Sequence, residues 1–175
     1  IIPLGANMKI FILVLTIFFH TNIYAKSLKG VSFDDKTTVA KQELVLNGLG
    51  LRLATFFKIK VYVAGLYLNK RMSSWDEIQK NKDAKKIRLS FLMGVEREKL
   101  TTAWSEAYRN NLPAATFDKI KDSVGKLNSY MKSLKKNDIM EFIANGDTVE
   151  VFVKNAKAGE IKDPLFAQYF LAAFI

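Results

Sequence analysis

Residues 57–68 read Phe-Lys-Ile-Lys-Val-Tyr-Val-Ala-Gly-Leu-Tyr-Leu, and this alternation constrains the fold more than any other stretch of the chain. Strand side chains switch faces at every residue. One face would therefore carry Phe57, Ile59, Val61, Val63 and Tyr67, and the other Lys58, Lys60, Tyr62, Ala64, Leu66 and Leu68. The second face turns from charged to apolar along its length, which puts Tyr62 at the boundary. A strand this long, with β-branched and aromatic residues on both faces, needs paired neighbours and a layer packed against it.

The flanking sequence supplies both. From Thr37 the chain is rich in β-formers, with Val45-Leu46-Asn47-Gly48 expected to break a first strand. Ser73-Ser74 caps a short helix over 75–80, and residues 86–93 alternate again as a strand. Over 96–111, Leu100, Ala103, Trp104, Ala107 and Tyr108 fall on one helical stripe that Pro113 ends. A second helix is expected from Ala114, with a seam through Phe117, Ile120, Val124, Leu127, Met131 and Leu134. Strands over 138–144 and 148–154 flank Asn145-Gly146-Asp147, where Asn-Gly is hairpin chemistry. A turn over 155–159 leads into one more short strand. Asp163-Pro164 then opens a last helix over 165–175, a cap followed by proline at the first position. That helix is apolar nearly all round, so it should be buried, and it reads as continuing past Ile175. Together these elements read as a single α+β domain over residues 26–175, for which 49 % apolar composition supplies a sufficient core.

The first 25 residues have a different pattern. They hold no Asp or Glu, only Lys9 as a cation, and an unbroken apolar run over 10–19 that is too short to span a bilayer comfortably. With Met8 as the start, Lys9 as the charged region, 10–19 as the apolar region and Ile23-Tyr24-Ala25 as the cleavage site, the segment reads as an export signal. Residues 1–7 read as upstream sequence. An uncleaved anchor over 12–23 is the alternative. On the first reading the mature protein starts near Lys26 and is periplasmic or secreted.

Cleavage would remove His20, the chain's one histidine, and the chain has no cysteine. Imidazole- and thiolate-based catalysis, structural zinc and disulfides are thereby excluded from the mature chain, and no metal or cofactor is expected. Setting Lys9 aside leaves 26 basic against 17 acidic residues, a net charge of +9. Export argues against nucleic acid as the partner. The lysines also bracket a turn (Lys80, Lys82, Lys85, Lys86) or end a helix (Lys132, Lys135, Lys136) without interleaved aromatics. Weak contact with an anionic membrane surface stays open, and a monomer is expected.

Asn47-Gly48-Leu49-Gly50-Leu51-Arg52 comes after a strand and invites comparison with a dinucleotide-binding loop. Leu53 stands where a third small residue is needed, and the next segment, Phe56 to Val63, is a strand instead of the helix that would meet a pyrophosphate. The run over 43–68, ELVLNGLGLRLATFFKIKVYVAGLYL, resembles instead the opening of chalcone-isomerase-like proteins: a Gly-x-Gly-x-Arg turn, then a long strand ending in a Tyr-x-Ala-Gly-x-Tyr-like segment. The order of elements agrees over 26–175. The resemblance implies an antiparallel sheet covered on one face by helices, an open-faced sandwich with a ligand cleft between the layers.

Arg52 matches the arginine of the plant isomerases, but Tyr62 stands at their strand threonine. Lys99 and Glu106 fall near their helix tyrosine and asparagine, and Gln168 falls near their last-helix Ser or Thr. A branch of the family that binds fatty acids without catalysis pairs the arginine with a strand tyrosine, as Arg52 and Tyr62 would. Chemistry supports such a pair independently: a guanidinium presents two parallel donors to a carboxylate, and a phenol adds a third while staying protonated. Leu66, Leu68, Trp104, Tyr108, Phe166 and Phe170 are the expected walls, although helix aromatics at this spacing equally suit a core. Glu96, Glu98 and Glu106 are general-base candidates, the first two explained as well by a helix N-terminus. Two readings result: a non-catalytic carrier of an apolar carboxylate, with Arg52 and Tyr62 as head-group donors, or an isomerase or lyase acting on a conjugated carbonyl with the same two residues.

Overall fold

The computed structural model describes residues 26–54 and 58–174. The expected export segment, residues 1–25, lies outside the described residues. A hairpin of β1 (Lys26–Leu28) and β2 (Val31–Phe33) precedes the main sheet. That sheet is formed by β3 (Lys36–Val39), β4 (Gln42–Ala54), β5 (Ile59–Leu68), β6 (Lys85–Phe91), β7 (Ile139–Asn145), β8 (Thr148–Val153) and β9 (Ala156–Lys162), each strand antiparallel to the next in chain order. Helices α1 (Trp75–Lys80), α2 (Arg97–Asn111), α3 (Ala114–Ser129) and α4 (Pro164–Tyr169), with a 3-10 turn over Phe170–Phe174, complete the described chain. The expected α+β architecture, an antiparallel sheet with helices on one face, is the one observed.

Two irregularities in the β4–β5 ladder decide what faces the helices. Register passes from Leu46↔Tyr67 to Gly48↔Leu66, so Asn47 is a bulge and β4 runs straight through the point where a break was expected. The extra residue flips the alternation. Leu44 and Leu46 before it, and Leu49 and Leu51 after it, consequently all pack on the outer face, away from the helices. Gly48, Gly50 and Arg52 are left on the inner one. The Asn47 side chain accepts the Met72 N–H at 2.8 Å, which holds the bulge to the segment leading into α1. A second shift, from Arg52↔Tyr62 to Leu53↔Lys60, skips Val61. Val61 thus packs with the helix-side core beside Tyr62, not with Val63 as simple alternation implied.

Helices α2 and α3 bury the expected stripes, Leu100, Trp104 and Tyr108 from one and Ile120, Val124 and Leu127 from the other. The second seam overruns its helix: α3 ends at Ser129, and Met131 and Leu134 are buried from irregular chain. Leu134 exchanges two 2.9 Å backbone hydrogen bonds with Val95, which a helical residue could not offer. The last helix is also shorter than its apolar run. After six residues it tightens into the 3-10 turn, where the Phe170 and Ala172 carbonyls accept from the Tyr108 hydroxyl (2.7 Å) and the Asn111 amide (2.8 Å) of α2. The turns that follow β7 and β8 are each two-residue loops. Gly146-Asp147 has glycine at the first central position with φ 61°, so the glycine sits one place earlier in the loop than an Asn-Gly turn would put it. Lys154-Asn155 has both residues at positive φ, replacing the longer turn expected over 155–159.

On the outer face β1–β2 folds over part of the sheet. Phe33 is buried against Gly65, with the Arg88 guanidinium 5.9 Å from the centre of its ring. Glu141 pairs there with Lys86 at 2.9 Å.

Candidate functional site

A cavity of about 490 Å³ opens between the sheet and α2 at the β4–β5 end. Arg52 and Tyr62, ten residues apart in sequence, are directly paired across the ladder, and both line it. Trp104 and Leu100 from α2, Val61 from the skipped position and Ala173 from the 3-10 turn form apolar wall. At the mouth stand Lys99 and Glu96, the latter accepting the Ser133 hydroxyl at 2.8 Å, with the exposed apolar side chains of Ile59 and Met93 beside them.

The donors here are unspent. Tyr62 is 6 % exposed, and its ring packs against Phe91 at 5.4 Å. The other buried tyrosines use their hydroxyls on carbonyls, Tyr67 on Asp34 and Tyr108 on Phe170. The Tyr62 hydroxyl has no such partner among the described residues. Arg52 likewise makes no salt bridge with any described carboxylate. Burial pushes the Tyr62 phenol up to about 12, against which the Arg52 charge acts in the opposite direction. The phenol is therefore protonated and a donor across the physiological range. A guanidinium and a phenol converging on an apolar chamber suit an anionic head group with an apolar body.

The other expected wall residues lie elsewhere. Leu66 lines a smaller neighbouring cavity of about 180 Å³ together with Trp75 and Phe174. Tyr108, Phe166 and Phe170 are core residues at 1 % exposure, and Leu68 is buried without lining either cavity. The alternative of helix aromatics as core thus describes Tyr108, Phe166 and Phe170, whereas Trp104 both packs against Phe142 and borders the cavity. Gln168 lines a third cavity of about 460 Å³ at the opposite end, under α1 and α4, bordered mainly by polar and charged residues. Lys80, Lys82 and Lys85 face Asp83 and Asp147 there, and the Lys85 ammonium donates to the Asn81 carbonyl at the end of α1. Val61 and Ala173 were not foreseen as lining. The first depends on a bulge, and the second on the last helix tightening at its end. Among the described residues no group of three or more His, Cys, Asp or Glu side chains is placed to hold a metal, and no helix is long and apolar enough to cross a membrane.

A protein-family model described as chalcone isomerase-like matches residues 25–175. Among solved structures, a fatty-acid binding protein of Arabidopsis thaliana superposes with a TM-score of 0.66 at 18 % identity, covering 86 % of this chain and 88 % of that one. At that identity the likeness is one of fold. A comparison with curated proteins gave no match.

Proposed function

We propose, for a chain that belongs to the chalcone isomerase-like family, that it is an exported, monomeric, non-catalytic binding protein for an apolar carboxylate such as a fatty acid. The observation that carries this reading is the pair of unspent donors, Arg52 and Tyr62, on one rung of the sheet and on one cavity wall. The carboxylate takes two parallel hydrogen bonds from the guanidinium and one from the phenol, while the acyl chain lies against Val61, Leu100 and Trp104. Each buried methylene contributes about 0.8 kcal/mol, so tail length supplies most of the affinity. The fold shared with a fatty-acid binding protein is in keeping with this. Exposed Leu53, Ile59 and Met93 near the mouth, with Lys58, Lys60 and Lys99, suit weak contact with an anionic membrane surface from which such a ligand would enter.

An isomerase acting on a conjugated carbonyl is the second reading, because a guanidinium beside a phenol also suits a developing oxyanion. A phenol held up at about 12 is a weak acid for proton transfer near neutrality, which favours binding over catalysis. Native mass spectrometry of freshly purified protein should show fatty-acid adducts, and calorimetry should show laurate binding that Arg52→Ala weakens at least tenfold. Clean wild-type spectra with no laurate heat would refute the carrier reading. Turnover of a chalcone lost in both Arg52→Ala and Tyr62→Phe would establish the enzyme instead.

A further inference from the structure

The smaller cavity continues the same ribbon. Arg52↔Tyr62 is succeeded on the helix-facing side by Gly50↔Ala64 and then Gly48↔Leu66. The first rung belongs to the large cavity, and the next two belong to the small one. Between the chambers the Trp104 and Phe174 rings meet edge-on with centroids 5.9 Å apart, the first lining the large cavity and the second the small. Among the described residues Asn47 is the one polar residue lining the small chamber, and its amide oxygen is taken by the Met72 N–H.

Two glycines on successive rungs need a reason, since glycine inside a strand costs up to about 1 kcal/mol relative to alanine. Conformation does not require them, because neither has positive φ. Crowding does not either: a Cβ at Gly48 or Gly50 would meet nothing within 4 Å. What they preserve is the chamber itself.

We propose that the small cavity is the tail subsite of the carboxylate site, which selects long, straight acyl chains over short ones; this rests on the carrier reading above. Gly48 lies four residue steps along the strand from Arg52, about 13 Å at ~3.3 Å per residue. Carbon chains with ~1.5 Å bonds at tetrahedral angles advance about 1.3 Å per methylene, so about ten methylenes lead from the head group to Gly48. A chain of eight carbons ends beside Trp104, and one of fourteen or more displaces the Trp104–Phe174 contact and fills the space over the glycines. Affinity rises about fourfold per methylene until that chamber is full.

The chain's two tryptophans report on the two chambers separately, Trp104 on the first and Trp75 on the second. Stearates carrying a nitroxide at carbon 5 or carbon 16 are bound at saturation to Trp75→Phe and, separately, to Trp104→Phe. The carbon-5 probe quenches Trp104 more strongly, and the carbon-16 probe quenches Trp75 more strongly. Gly50→Leu, checked for folding by circular dichroism, lowers the ratio of palmitate to octanoate affinity at least tenfold, and Gly48→Val does the same if Gly50→Leu unfolds. Equal or reversed quenching, or an unchanged ratio, overturns the tail subsite while leaving the head-group reading in place. Absence of any fatty-acid binding by the wild type overturns both.

Discussion

Arg52 and Tyr62 face each other across the β4–β5 ladder, and neither makes a hydrogen bond or ion pair with another described side chain. Removing their polar atoms should therefore cost binding and little else. Arg52→Ala is expected to weaken laurate binding ten- to hundredfold, the worth of a charged hydrogen bond at about 1.5–3 kcal/mol. Tyr62→Phe should weaken it about fivefold, at ~1 kcal/mol. Thermal melts without ligand should place both variants within about 0.5 kcal/mol of wild type. Calorimetry on the two single variants and the double variant gives the coupling between the groups.

Alkaline pH tests the state of the same phenol. In the unfolded chain Tyr62 loses its proton near 10, but in the folded protein burial holds it to about 12. Between those values the unfolded state releases the proton first. The contribution is thus fully present below about pH 10 and falls as pH rises toward 12. Wild type should lose more stability than Tyr62→Phe over that interval in denaturant melts. Equal slopes for the two would mean that the phenol titrates normally.

How much of this was legible in the sequence depended on whether local pattern or register decided the outcome. The α1 cap at Ser74, the α2 stripe and the Asp163-Pro164 start announce themselves through capping and periodicity. Arg52 and Tyr62 stood out through the resemblance of residues 43–68. That they share a rung did not, because pairing depends on bulges at Asn47 and Val61, and a one-residue skip leaves no compositional mark. The second skip explains why Val61 was overlooked, whereas Leu68 keeps the face expected of it and simply lies one rung past the cavities. Tyr108, Phe166 and Phe170 carry the apolar signature of a pocket and of a core alike. Only the packing of α2 on the 3-10 turn separates the two.

Gly65, inside the segment that carried the resemblance, makes a steric prediction. A Cβ there would lie 2.6 Å from the Phe33 ring, which the β1–β2 hairpin buries against the sheet. Gly65→Ala should destabilise the protein by about 1–3 kcal/mol through overpacking. Pairing it with Phe33→Leu should recover part of the loss, which chemical denaturation of the four variants would measure. Equal losses with and without Phe33 would place the strain elsewhere.

Asp163 joins three elements, two through its carboxylate and one through its backbone N–H. One oxygen accepts the Leu165 and Phe166 N–H groups at 2.9 and 3.1 Å, capping α4, and the other accepts the Ser123 hydroxyl of α3 at 2.6 Å. Its own N–H donates to the Asp147 carbonyl at 2.9 Å, tying the cap to the β7–β8 loop. Asp163→Ala should cost about 2 kcal/mol, at the upper end for a lost cap because an interhelical hydrogen bond goes with it. Asp163→Asn keeps a capping oxygen and should cost less than half as much. Because α4 leads into the 3-10 turn that supplies Ala173 and Phe174 to the two cavities, Asp163→Ala should also bind palmitate more weakly than Asp163→Asn at a temperature where both are folded. Equal palmitate affinity in the two variants would show that the cavity walls hold their place without the cap.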